Sequence, residues 1–224
     1  MGRLYIFSLL LALSAAACSS TTTTQRNAEA TGGTGAGGEP GGATGGKTNE
    51  STGGEAGSDG GSLCASYCDT LEENCTGDFA QFISRATCME FCDRLPEGSE
   101  DDEIGNSVHC RMTQARFAGE VGEPDLHCAE AGPGGNGTCG SNCEAYCVVL
   151  EQVCGARFDD EFVGRADCNT QCGALADEVR FDASMNSGDS IQCRLWHLSA
   201  ASVDPSTHCG HAVGEGPCAP AEAN

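Results

Sequence analysis

Apolar positions from residue 64 onward recur with a helical period. Cys64, Cys68, Leu71 and Cys75 fall at i, i+4, i+7 and i+11, and Cys143, Cys147, Leu150 and Cys154 repeat the pattern. This spacing puts all four residues of each set on one helix face. Ser62 stands as the N-cap of the first such helix, and Ser141 with Glu144 forms an S-x-x-E capping box for the second. A second helix carries Cys88, Cys92 and Leu95, or Cys168, Cys172 and Leu175. A third starts near Ser107 or Ser190, runs through Cys110 or Cys193, and ends around Gly119 or Ser202. The predicted fold is all-α, small and disulfide-rich, with two tandem helical modules after a disordered linker.

The tandem organisation is written in spacings and side chains together. Cys64 to Cys139 and Cys143 to Cys218 each span 76 residues, with 3, 6, 12, 3, 17, 17 and 10 residues between successive cysteines in the first copy and 3, 6, 13, 3, 20, 15 and 8 in the second. Tyr67 matches Tyr146, Phe82–Ala86 matches Phe162–Ala166, and Pro124-x-x-His127-Cys128 matches Pro205-x-x-His208-Cys209. Two copies of one unit follow, module 1 over residues 63–140 and module 2 over 141–219, with Gly140-Ser141-Asn142 too short to act as a hinge. Residues 220–224 are read as a disordered tail.

Two antiparallel helices that each carry C-x3-C bring the first cysteine of one beside the last of the other. The predicted bridges are Cys64–Cys92 and Cys68–Cys88, and Cys143–Cys172 and Cys147–Cys168, a logic similar to twin C-x3-C helical hairpins. Cys75, Cys110, Cys128 and Cys139, and likewise Cys154, Cys193, Cys209 and Cys218, permit three pairings among which spacing does not choose.

Composition explains why so many cross-links are needed. From Leu63 onward, Leu, Ile, Val and Phe supply only 27 of 162 residues, a level at which a strongly charged chain ordinarily stays unfolded. Covalent links at about 2 to 4 kcal/mol each replace the missing core. The charge of -22, with Lys47 the sole lysine, excludes nucleic acid as a partner, because phosphate binding is driven by basic side chains. Attraction to an anionic lipid surface is excluded on the same ground.

The N-terminus carries an export signal. Arg3 supplies a basic start, Leu4 to Leu13 an apolar segment too short to span a bilayer, and Ala15-Ala16-Ala17 a small-residue cleavage zone, so residues 1–17 read as a signal peptide. Residues 13–18, LSAAAC, resemble a bacterial lipoprotein box in which Cys18 is lipidated, although Ala15 stands where Leu is usual and A-x-A also suits an ordinary signal peptidase. Parity favours lipidation: 17 cysteines less Cys18 leave 16, all of which can pair. By the same resemblance Ser19 directs the protein to the outer membrane, with the lipid bilayer as its N-terminal partner and secretion as the alternative. Residues 18–62 form the linker; its 44 residues after Cys18 hold 14 Gly and 9 Thr and reach roughly 35 to 40 Å as a flexible coil. Gly41 to Thr48 spells a phosphate loop, but neither flank can form the required strand or helix, so ATP is not expected.

Catalytic signatures are missing from the sequence. There is no C-x-x-C, G-x-S-x-G or H-E-x-x-H, and Glu100 to Glu103 lacks the alternating oxygen ligands of a calcium loop. His197, His208 and His211 gather around Cys193 and Cys209 and could ligate zinc or copper, whereas module 1 has Gln114, His127 and Glu130 at the matching places. Because only the His127/His208 position is shared, these histidines are read as hydrogen-bonding residues, with no metal and no cofactor expected.

The run Cys193-Arg194-x-x-His197, then Pro205-x-x-His208-Cys209-x-His211-Ala212, a Gly-rich stretch and a final Cys resembles modules in uncharacterised cysteine-rich lipoproteins of myxobacteria and related bacteria. That resemblance implies a shared fold and an exported location, and adds nothing to mechanism. The expected function is a non-enzymatic binding or structural module, lipid-anchored and facing an unknown protein or surface partner. The alternative is a metal- or haem-binding periplasmic or surface protein that uses the histidines of module 2.

Overall fold

The computed structural model of the chain describes residues 59–177 and 179–220. Residues 1–58, on which the expected signal peptide, the expected lipidation of Cys18 and most of the expected linker fall, lie outside the described residues, as do residues 221–224. Module 1 contributes α1 (Asp59–Asn74), α2 (Arg85–Cys92), α3 (Val108–Glu120) and α4 (Pro124–Ala131). Module 2 contributes α5 (Asn142–Val153), α6 (Gly155–Glu161), α7 (Arg165–Cys172), α8 (Ile191–Ala201) and α9 (Pro205–Ala212). No strand forms among the described residues, and the one isolated bridge joins Ala176 and Ser190.

Local signals set most of these boundaries. Ser107 and Ser190 cap α3 and α8, each hydroxyl accepting from the amide of the cysteine three residues on at 3.2 Å. Asp204 caps α9 ahead of Pro205, whose missing N–H is harmless in the first turn. Three local details differ from the sequence expectation. Helix α1 begins at Asp59, so Ser62 lies inside it; the cross-linked turns beyond Cys64 provide a nucleus from which the helix extends back through Gly60 and Gly61. Ser141 accepts from the Glu144 amide, yet the return bond that would complete the capping box is not made. Helices α2 and α7 stop at Cys92 and Cys172, and Leu95 and Leu175 sit in the following turn, held by amide bonds back to the Cys92 and Cys172 carbonyls.

Eight disulfides staple the helices, with Cα–Cα separations of 5.5 to 6.0 Å. Cys64–Cys92 and Cys68–Cys88 join α1 to α2, and Cys143–Cys172 and Cys147–Cys168 join α5 to α7, the hairpin pairs that the spacing suggests. The pairing left open by the sequence is Cys75–Cys128 with Cys110–Cys139, and Cys154–Cys209 with Cys193–Cys218. Such a set of bridges belongs to an oxidising, extracytoplasmic environment. No helix among the described residues is long and apolar enough to cross a membrane.

One buried tyrosine per module ties the first helix to the last. The Tyr67 hydroxyl donates to the Ala131 carbonyl at 2.6 Å, and the Tyr146 hydroxyl donates to the Ala212 carbonyl at 2.8 Å. Both rings are essentially inaccessible, so each bond satisfies a polar group that would otherwise be costly to bury. The two modules pack into one compact unit. The Ala183 amide donates to the Ala80 carbonyl at 2.7 Å, Gln81 Nε2 to the Phe181 carbonyl at 3.1 Å, and Gln152 Nε2 to the Arg94 carbonyl at 2.8 Å. An exposed ion pair between Arg180 and Asp125 lies on the same seam. Module 1 therefore braces the irregular loop that precedes α8.

Candidate functional site

Helix α8 carries His197, and α9 presents His208 and His211 one turn apart toward it. One ring nitrogen from each of the three histidines lies within 4.8 Å of the other two. His197 is buried, while His208 and His211 are half-buried. The helices that hold them are fixed on both sides of the cluster. Cys193–Cys218 anchors α8, Cys154–Cys209 anchors α9, and the Tyr146 bond to Ala212 pins the residue directly after His211.

Hydrogen bonding assigns the protons. His197 Nε2 lies 3.2 Å from the Asn186 carbonyl and must carry a proton to donate to it. Its Nδ1 is then a lone-pair acceptor, 3.0 Å from His208 Nδ1, which donates. His211 Nδ1 is buried and has no hydrogen-bond partner. The other edge of that ring lies against Gly216, where an added Cβ would come within 3.0 Å of Cδ2 and Nε2. Gly216 also has a φ of +54°, so only glycine suits both demands. Burial pulls the His197 pKa down to about 4 and also lowers that of His208. These two imidazoles are neutral at pH 7 and keep their lone pairs.

Module 1 closes the equivalent place. Gln114 Nε2 donates to the Glu103 carbonyl at 3.2 Å, and Gln114 Oε1 accepts from His127 Nδ1 at 2.9 Å. His197 does both jobs of that glutamine with the two nitrogens of one ring, toward Asn186 and His208. Glu130, the counterpart of His211, accepts from His127 through Oε2 at 3.0 Å and from the Thr138 hydroxyl through Oε1 at 2.6 Å. In module 2 the position before the last cysteine is Pro217, which offers no hydroxyl. The third group of the cluster is satisfied in module 1 and left open in module 2.

Two further features define the surroundings. Cys193 and Cys218 also come within ligand distance of His197, but they are bonded to each other and supply no thiolate. Trp196, the one tryptophan of the chain, has its ring centroid 4.7 Å from His197 and 5.9 Å from His208, and its N–H donates to the Ala183 carbonyl at 2.7 Å. Sequence spacing brings the three histidines into view, and the structure brings all three together. Sequence spacing does not reveal Asn186, Gly216 or Trp196 as parts of the site, because they lie in or against a loop with no periodic pattern. The acidic run Glu100–Glu103 is elsewhere, with Asp102 used to hold a turn by accepting from the Ser99 amide and the Ser107 hydroxyl.

Residues 60–143, essentially module 1, match the family model of the BfoA family C-terminal domain. No curated protein and no solved structure matches the chain. Module 1 is thus similar to a BfoA C-terminal domain, and module 2 repeats its four bridges with a different side-chain cluster.

Proposed function

We propose that the chain is an exported, lipid-anchored, non-catalytic binding protein in which module 1 is the brace and the histidine cluster of module 2 is the binding face. The observation that carries this reading is the difference at one place in two otherwise equivalent scaffolds: a closed Gln114–His127–Glu130–Thr138 network against an orphaned His211 nitrogen. A buried polar atom without a partner costs stability, so its retention in a stapled scaffold points to a ligand that supplies the missing bond. The absence of catalytic motifs in the sequence and the tether read from Cys18 and the Gly/Thr-rich linker support a presenting rather than a catalytic role.

Thermal unfolding of the full chain tests the binding reading. Replacing Glu130 by Ala is expected to cost about 1 to 3 kcal/mol, because two hydrogen bonds are lost. Replacing His211 by Ala is expected to cost less than about 1 kcal/mol, because no bond is lost. Equal losses would make the histidine cluster a structural device and remove the binding face. The tether is tested separately by Cys18→Ser, which should move the protein from the membrane to the soluble exported fraction; unchanged partitioning would rule out lipidation.

A further inference from the structure

The geometry points to a divalent late first-row metal ion, zinc or copper(II), as the occupant of the His197–His208–His211 cluster, held by one ring nitrogen from each. This deepens the binding reading and rests on it.

Three observations converge. First, the donor set is chemically suited: neutral imidazole is a good ligand for both ions, and three histidines with an open fourth position form a recurrent coordination set. The spacing agrees. Metal–nitrogen bonds of about 2.0 to 2.1 Å at tetrahedral angles separate ligand nitrogens by roughly 3.3 Å. His197 Nδ1 and His208 Nδ1 are 3.0 Å apart, and the third nitrogen lies within 4.8 Å, which leaves side-chain torsions to close the triangle.

Second, the first ligand is already oriented. The Nε2–H of His197 donates to the Asn186 carbonyl, which leaves Nδ1 unprotonated and aimed at the cluster. This is the outer contact that metal-bound histidines ordinarily make. The loop carrying Asn186 is itself tied to module 1 by the Ala183 amide, so the orientation is built into the fold. Besides those torsions, binding needs one change of protonation: the proton of His208 Nδ1 moves to its Nε2, and the ion takes the place of the shared hydrogen between the two rings.

Third, module 2 differs from module 1 in the direction a cation requires. The anionic Glu130 and the donor Thr138 give way to His211 and Pro217, leaving a buried nitrogen that no protein group satisfies. A carboxylate with a hydroxyl partner closes a hydrogen-bond network; an unpartnered imidazole completes a ligand triad. The chain charge of -22 adds a long-range attraction for cations.

The test uses the full-length, oxidised chain in detergent at neutral pH, titrated with zinc chloride or copper(II) chloride and then desalted. One ion per chain is expected to be retained, and copper(II) should quench the fluorescence of Trp196. The comparison protein carries His197→Gln and His211→Glu, which copies the polar set of module 1. Its affinity should fall by more than the roughly 100-fold that removing an outer hydrogen-bond partner costs a metal site. Its eight bridges and helical circular dichroism should be unchanged. If the double variant fails those folding criteria, His211→Asn is measured in its place by the same two readings. A parent protein that retains no ion, or a variant that retains as much as the parent, would overturn the assignment; the latter result would trace retention to the acidic surface. Failure here is distinct from failure of the binding reading, which rests on stability, and of the tether, which rests on membrane partition.

Discussion

Modules 1 and 2 share four bridges in the same order, a tyrosine bonded to the same carbonyl near the end of the last helix, and a serine cap on the same helix. They differ at two of the three positions where that last helix faces its neighbour: Gln114 and Glu130 stand against His197 and His211, around the shared His127 or His208. The contrast shows how labour is divided in an apolar-poor fold. Cross-links and bonds to backbone carbonyls fix the helices, so the side chains between α8 and α9 are free to serve something other than stability. A second difference runs the opposite way. Arg111 is wholly buried and donates to the carbonyls of Ser107, Gly132 and Pro133, whereas its counterpart Arg194 is part-exposed and reaches Asp189 and the Val213 carbonyl.

The largest effect should test the shared half of this comparison. Cys75–Cys128 and Cys154–Cys209 close loops of 53 and 55 residues. Chain entropy assigns each about 4 kcal/mol. Replacing either pair by alanines should lower stability by nearly equal amounts in urea denaturation; a markedly unequal loss would mean that the modules are not built alike.

Next in size comes the arginine contrast. Arg111→Met strands three buried carbonyls and should cost about 3 kcal/mol, while Arg194→Met should cost about 1 kcal/mol because water replaces much of what it loses. Equal costs would remove the distinction between a wholly buried and a part-exposed arginine. The lowered pKa of Arg111, about 10, has burial as its main cause and marks the same desolvation.

A smaller effect concerns acid. Burial holds the His197 pKa at about 4 in the folded protein, below the ordinary value of 6.5. Between these values the unfolded chain binds more protons, so stability falls as pH drops from about 6.5 to 4 and is fully present above that range. His197→Gln should flatten this slope in the metal-free protein, as judged by melting temperature against pH; an unchanged slope would place its origin elsewhere.

Much of the scaffold was legible in the chain because helical periodicity acts locally. The C-x3-C pairs and the caps at Ser107 and Ser190 are of that kind. Helices α4 and α9 escaped the reading even though Asp204-Pro205 carries an N-cap and a first-turn proline, because each holds a single cysteine and lacks the C-x3-C pair that marks the equally short α2 and α7. The pairing of the other four cysteines in each module depends on how the last helix folds back, a long-range outcome that no local pattern encodes. At the site, the three histidines could be read from spacing. Their meaning could not, since it turns on the carbonyls of Asn186 and Glu103 in irregular loops and on Thr138 against Pro217.

One scaffold carrying a closed cluster in module 1 and the proposed ion-binding cluster in module 2 would need only a few side-chain changes to pass from one state to the other. The most direct test is to transplant the cluster by Gln114→His and Glu130→His, with His127 already in place, and to count metal ions retained by the full chain after desalting. Zinc stoichiometry is expected to rise from one to two per chain while all eight bridges stay intact. A folded variant that still retains one ion would show that the modules are not equivalent at this position, and would contradict it.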